Sequence, residues 1–141
     1  MASPRYDDTP AGTEIEPRQY PVQRRDLVRY AGASGDFNVI HWNERVATSV
    51  GLPNVIAHGM LTMALAGRFV SDWAGDPGAV TDFGVRFSAM VPVPDDDEGA
   101  TIEVSGKVLE KLADNKVTVD IVAKAGGVKV LTRARATVRL P

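Results

Sequence analysis

The chain has 141 residues, 44% of them hydrophobic and 24% charged, the proportions of one ordinary globular domain. Sixteen Lys and Arg against eighteen Asp and Glu leave a net charge of −2, which excludes the polybasic footprint of a nucleic-acid or anionic-lipid binder. No cysteine is present, so disulfides, cysteine–zinc sites, iron–sulfur clusters and thiol nucleophiles are excluded.

Residues 1–11 are polar, with two prolines, and are expected to fray; residues 12–141 then form a single domain. The start of the chain carries Arg5, Asp7 and Asp8 and no apolar core, unlike a secretory signal. The most apolar stretch, Met60 to Trp73, is interrupted by Arg68 and Asp72 and is too short to cross a membrane. A soluble cytoplasmic protein is expected. Thr13 to Val22 contains Pro17 and Pro21 and reads as an edge strand, where proline is tolerated. Asp26 to Ala33 has apolar spacing of three and four and is closed by glycine, predicting a short helix. Asp36-Phe37-Asn38 is turn chemistry. Asn43 can cap a second short helix, stopped by Gly51 and Pro53.

His58 to Ala74 is the longest helical segment and is apolar on nearly every side, so other structure must wrap it. Gly67 inside it suggests close approach of a strand or partner. Four stretches with period-2 alternation follow, around Phe83–Ala89, Ile102–Val108, Val117–Lys124 and Val128–Leu140. Gly126-Gly127 and Ala113-Asp-Asn-Lys116 mark turns between them. An antiparallel sheet with one polar face must cover the other, and only the His58–Ala74 helix is long enough. The pattern demands an α+β architecture of the hotdog type, an antiparallel sheet wrapped around one long central helix.

The sequence holds two histidines, His41 and His58, and neutral-pH proton transfer usually employs one. Asp36 lies five residues before His41; on a loop opened by Gly35 the two can converge, with Asn38 between them. Spacing alone favours the plainer reading, in which Asp36 closes an Asx turn and His41 sits near a helix cap. His58-Gly59 opens the apolar helix, where unpaired N–H groups can stabilise a developing oxyanion. There too the plainer reading, a mere helix start, has the stronger claim from spacing. Two histidines seventeen apart without cysteine match no common zinc spacing. Gly32-Ala-Ser-Gly35 is neither a nucleophile elbow nor a phosphate loop. Asp95 to Glu98 reads as a solvated loop. Arg133, Arg135 and Arg139 line one strand face, solvated or open to a phosphate-bearing carrier.

At Ser34-Gly-Asp-Phe-Asn-Val-Ile-His41 and Ala57-His-Gly-Met60 the chain resembles the MaoC-like hydratase/dehydratase family, from about Tyr20 to the C-terminus. Trp42, the Trp73–Val80 run and Val91–Pro94 resemble its catalytic B-type subunits of (3R)-hydroxyacyl-ACP dehydratases. The resemblance implies reversible hydration of a trans-2-enoyl thioester, carried by acyl-carrier protein (ACP) or CoA, to a (3R)-hydroxyacyl thioester. It implies no metal or redox cofactor, and a homodimer or a heterodimer with another hotdog subunit formed by joining sheets. It gives Asp36 and His41 the catalytic roles, Asn38 and His58 supporting ones, and Gly59 a backbone donor to the thioester carbonyl. Val39 stands where the family often has proline, leaving the loop less rigidly preset. Two other readings compete: a non-catalytic partner subunit that shapes an acyl tunnel, and a hotdog thioesterase, whose acidic helix residue would have to be Asp72.

Overall fold

The structure, a computed structural model, describes residues 3–141. In chain order it runs β1 (Glu14–Val22), α1 (Arg24–Ser34), a 3-10 turn (Val39–His41), α2 (Glu44–Ser49), α3 (Gly59–Ala74), a second 3-10 turn (Pro77–Ala79), β2 (Val80–Phe87), β3 (Ala100–Leu112), β4 (Lys116–Ala125) and β5 (Val128–Arg139). The strands form one five-stranded antiparallel sheet in the order β1-β3-β4-β5-β2. This is the hotdog fold, with α3 against the concave face.

Each element follows from local chemistry. Helix α1 begins with a reciprocal box between Gln23 and Asp26 and ends at Gly35, whose φ of 76° only glycine adopts at no cost. Asn43 accepts the Val46 N–H and starts α2. The β3–β4 turn has Asp114 and Asn115 at positive φ, and the β4–β5 turn has Gly126 and Gly127. Two consecutive positive φ values give the primed turn that matches strand twist.

Helix α3 buries Thr62, Ala66, Phe69, Val70 and Ala74 against Val104, Val108, Val119 and Ala136, all at most 1% exposed. Burying such side chains stabilises by about 1.5–3 kcal/mol each for the larger ones. A Cβ at Gly67 would stand 3.1 Å from the Phe83 ring of β2. That ring is the close approach the glycine implied.

Three expectations are corrected. The segment before β1 was expected to fray. Residues 1–2 lie outside the described residues, but the stretch after them is tied down. The Tyr6 hydroxyl donates to Leu112 O (2.9 Å), the Tyr6 N–H to Pro141 O (2.9 Å), and Thr9 is buried. The physical reason is an aromatic anchor that composition alone did not weigh.

In β2, Phe83 and Val85 are half-buried; Phe87 at the strand's end lies with its ring against Gly59 of α3 yet stays more than half exposed, and Ala89, beyond the strand, is exposed. The strand is an edge, and beyond Val85 only the first turn of α3 reaches it.

In β5, strict alternation fails at Arg133, which has φ 46°. Ala134 pairs with Ile121 and Leu131 with Ala123, so Thr132 and Arg133 together face one residue of β4. This bulge continues the buried face of Ala134 and Ala136 at Leu131, leaving Thr132 outside and Val128 exposed.

Candidate active site

The loop after α1 is built by short side-chain bonds. The Asp36 N–H donates to Ser34 Oγ (3.1 Å), the Asn38 N–H to Asp36 Oδ1 (3.2 Å) and the Ile40 N–H to Asn38 Oδ1 (3.3 Å). Trp42 Nε1–H braces the loop from below through Phe37 O (3.0 Å). Asp36 does close an Asx turn, as its spacing suggested. Its second oxygen, Oδ2, is left free and faces His41 Nε2 at 3.9 Å.

His41 ends the 3-10 turn and is buried, 7% exposed. Its Nδ1 lies 2.7 Å from Ile56 O. A carbonyl only accepts, so Nδ1 carries a proton, and Nε2 is the ring nitrogen that faces Asp36. The 3.9 Å gap is too wide for a direct hydrogen bond, but both atoms can reach one oxygen at about 2.8 Å.

His58, at the N-cap of α3, is 1% exposed. Its ring stacks on His41, with centroids 3.8 Å apart and planes inclined by 23°, and Tyr30 lies against it at 4.8 Å. Nε2 lies 3.1 Å from the main-chain oxygen of Asp36, whereas Nδ1 is buried without a hydrogen-bond partner among the described residues. Burial holds this imidazole below its ordinary pKa, and neighbouring His41 adds to the effect. The Asp36 carbonyl and carboxylate oppose it. His58 is therefore a neutral ring.

The segment that leads into α3 is fixed on both sides. Ile56 N–H donates to Ile40 O (3.1 Å), Ala57 N–H to Val91 O (2.9 Å) and Val93 N–H to Val55 O (2.9 Å). Arg24 joins Glu44 (2.6 Å) and Val93 O (2.6 Å), while Glu44 accepts the Val55 N–H (3.1 Å). Gly59 follows at the first turn of the helix, where N–H groups lack intrahelical partners. A Cβ there would stand 3.1 Å from the Phe87 ring.

A cavity of about 340 Å³ opens here, walled by His41, Ile56, Gly59, Thr62, Phe87 and Leu131, among others. Asp36, 3.9 Å from His41 in its wall, has a side chain 51% exposed.

The five residues singled out in the sequence thus fall in one neighbourhood. Asp36, His41, His58 and Gly59 surround the loop–helix junction, and Asn38 shapes the loop with both its N–H and its side chain. What sequence reading missed are main-chain acceptors and rings from elsewhere: the carbonyls of Asp36 and Ile56, Tyr30 of α1, and Phe87 beside β5. No spacing rule signals them. Asp72, the acidic residue of α3, is engaged by Arg18 (2.9 Å) and Arg68 (3.6 Å).

Asp36, His41 and His58 also offer ligand atoms within 4.8 Å of one another. An imidazole lone pair lies in its ring plane, and metal–nitrogen bonds are about 2.0–2.1 Å. Two rings stacked at 3.8 Å cannot both aim in-plane at one ion. With His58 Nε2 already on Asp36 O, this arrangement does not fit a shared metal.

Residues 8–126 match the profile described as the MaoC like domain. The chain belongs to the MaoC-like dehydratase family. A curated MaoC-like relative, the (R)-specific enoyl-CoA hydratase of Rhodospirillum rubrum, is 32% identical over 121 residues, spanning 85% of this chain and 81% of that one. A solved MaoC-like dehydratase is 46% identical with a TM-score of 0.94, over 99% of this chain; the chain spans 43% of that protein's length. The R-hydratase PhaJ1 from Pseudomonas aeruginosa, unliganded, is 27% identical with a TM-score of 0.85, over 97% of this chain and 85% of that one. Among the described residues no helix is long and apolar enough to cross a membrane.

Proposed function

We propose that this MaoC-like domain catalyses the reversible hydration of trans-2-enoyl thioesters, carried by CoA or ACP, to (3R)-hydroxyacyl thioesters. The observation that carries the reading is the 3.9 Å approach of Asp36 Oδ2 to His41 Nε2 beside a cavity that His41 and Gly59 help to wall. Relatives named as (R)-specific hydratases support it.

In hydration, one water sits between the carboxylate and the imidazole. The pair takes a proton from it as its oxygen bonds to C3, and a proton is returned to C2 on the same face of the alkene. Dehydration reverses this: the C2 proton leaves to the pair, the C3 oxygen is protonated, and water departs. Each positioned proton transfer is typically worth about 10²–10⁴-fold. Charge accumulates on the thioester oxygen in both directions. The Gly59 N–H at the start of α3 receives it, a donor whose loss typically costs about 10²–10³-fold. The two groups act as one coupled pair. His41 with its proton fixed on Nδ1 by Ile56 O offers Nε2 to the water.

We also infer pairing with a second hotdog chain, identical or different, along β2. It is an edge strand, and Met60, Phe87 and Met90 beside it are each more than half exposed. An unpaired strand edge invites such an addition. Asp72 is held in two ion pairs, so nothing in the geometry favours the thioesterase reading.

The test is an assay of the purified chain on trans-2-enoyl-CoA and trans-2-enoyl-ACP, with and without a partner hotdog subunit. Formation of the (3R)-hydroxyacyl product by the chain itself supports the reading. Activity that survives loss of both Asp36 and His41 once a partner is added assigns this chain the non-catalytic, tunnel-shaping role. Release of free thiol points to a thioesterase.

A further inference from the structure

We propose that His58 is a positioning residue for Asp36: its Nε2–H holds the main-chain carbonyl of Asp36 to the start of α3 and thereby fixes where the Asp36 carboxylate stands relative to His41 and Gly59. The inference rests on the reading of Asp36 and His41 as the reacting pair.

Three observations carry it. First, the Asp36 loop has little other anchorage in the core. Residues from Gly32 to Val39 are all exposed, and the bonds at Asp36 N–H and Oδ1 stay within the loop, to Ser34 and Asn38. The Asp36 carbonyl alone is gripped by a buried group of another element, His58 Nε2 at 3.1 Å. Second, His58 is itself immobile. It is 1% exposed, packed between His41 and Tyr30, and anchored as the N-cap of a helix of 16 residues. Third, the imidazole is a poor choice for packing alone. Its Nδ1 is buried without a partner among the described residues, and an unsatisfied buried nitrogen costs free energy that an apolar side chain of similar volume would not. What the imidazole adds over such a side chain is the Nε2–H.

The clasp is reciprocal. His41, from the loop, holds Ile56 O (2.7 Å), two residues before His58. His58, from the helix start, holds Asp36 O. The loop that carries the acid–base pair and the segment that carries the Gly59 N–H are therefore cross-tied, each by the other's histidine. Groups that must act on one water within a few tenths of an ångström need such fixing. A displacement of about 1 Å at a reacting group can cost about 10²-fold in rate.

The experiment compares His58→Leu, which keeps bulk without a donor, with His58→Gln, whose side-chain amide nitrogen reaches the position of Nε2. Hydration kcat and KM for a short trans-2-enoyl-CoA are read together with Tm. The expected result is a kcat at least about tenfold lower in His58→Leu with KM little changed, and recovery of most of that loss in His58→Gln. Equal losses in both variants, or no loss in either, would overturn the proposal and leave His58 a packing residue.

A second measurement needs no variant and no activity. Nitrogen-15 NMR of the wild-type imidazoles should find His58 neutral and protonated on Nε2, with a coupling across the bond to the Asp36 carbonyl. Protonation on Nδ1 would overturn the proposal even in an active enzyme. An inactive wild type with this tautomer present would instead sink the reading of the reaction and leave the clamp standing.

Discussion

His41 and His58 stack face to face at 3.8 Å while carrying their protons on opposite ring nitrogens, Nδ1 toward Ile56 O in one and Nε2 toward Asp36 O in the other. Two imidazoles this close cannot both be cationic without strong repulsion. The more deeply buried ring, His58, is the one held below its ordinary pKa, and Nε2 of His41 is the ring atom that faces the Asp36 carboxylate, as the proposed reaction requires.

The neutral state of His58 makes stability depend on pH. Its folded pKa lies below the ordinary 6.5, chiefly because burial strips hydration. As pH falls below about 6.5 the unfolded chain takes up this proton and the folded chain resists, so the unfolded state binds more protons and stability drops. Above that value the contribution is fully present. The urea midpoint of the wild type should therefore fall between pH 7.5 and pH 5 by more than that of His58→Gln. Equal falls would contradict a depressed His58.

Gly67→Leu should destabilise the domain by about 1–3 kcal/mol through overpacking, because even a Cβ there meets the Phe83 ring at 3.1 Å. An unchanged Tm would mean that β2 yields freely and does not enclose α3.

Tyr20 is 9% exposed, its hydroxyl meets no partner in good hydrogen-bond geometry among the described residues, and the nearby Arg18 guanidinium is engaged by Asp72. Removing an orphaned donor relieves a desolvation cost of about 1–3 kcal/mol, offset in part by lost contacts. Tyr20→Phe should be neutral or stabilising by chemical denaturation. A loss above about 1 kcal/mol would show that the hydroxyl is bonded.

These expectations separate what the sequence made visible from what it hid. Helix α3 was legible because it is long and apolar on nearly every side. The hairpins were legible from Asp114-Asn115 and Gly126-Gly127. The loop chemistry of Asp36, Asn38 and His41 was legible as a cluster, and the family resemblance supplied the roles. The β5 bulge was not legible, since Arg133 at φ 46° is a residue type with no preference for that region. Phe87 alternated correctly and its ring meets Gly59 of α3, yet it stays more than half exposed, because burial at a sheet edge depends on what lies across it. The bonds to the Asp36 and Ile56 carbonyls were invisible because every residue carries a carbonyl and only the fold chooses among them.

The 3.9 Å pairing of Asp36 Oδ2 with His41 Nε2 is tested most directly by hydration kinetics of Asp36→Asn and His41→Ala on a short trans-2-enoyl-CoA, with Tm measured alongside. Asp36 is half exposed, so its substitution should leave folding intact. The account predicts a loss of at least about 10²-fold in each variant, with the double variant little worse than the singles because the pair acts on one water. Turnover near wild type in either well-folded single variant would contradict it.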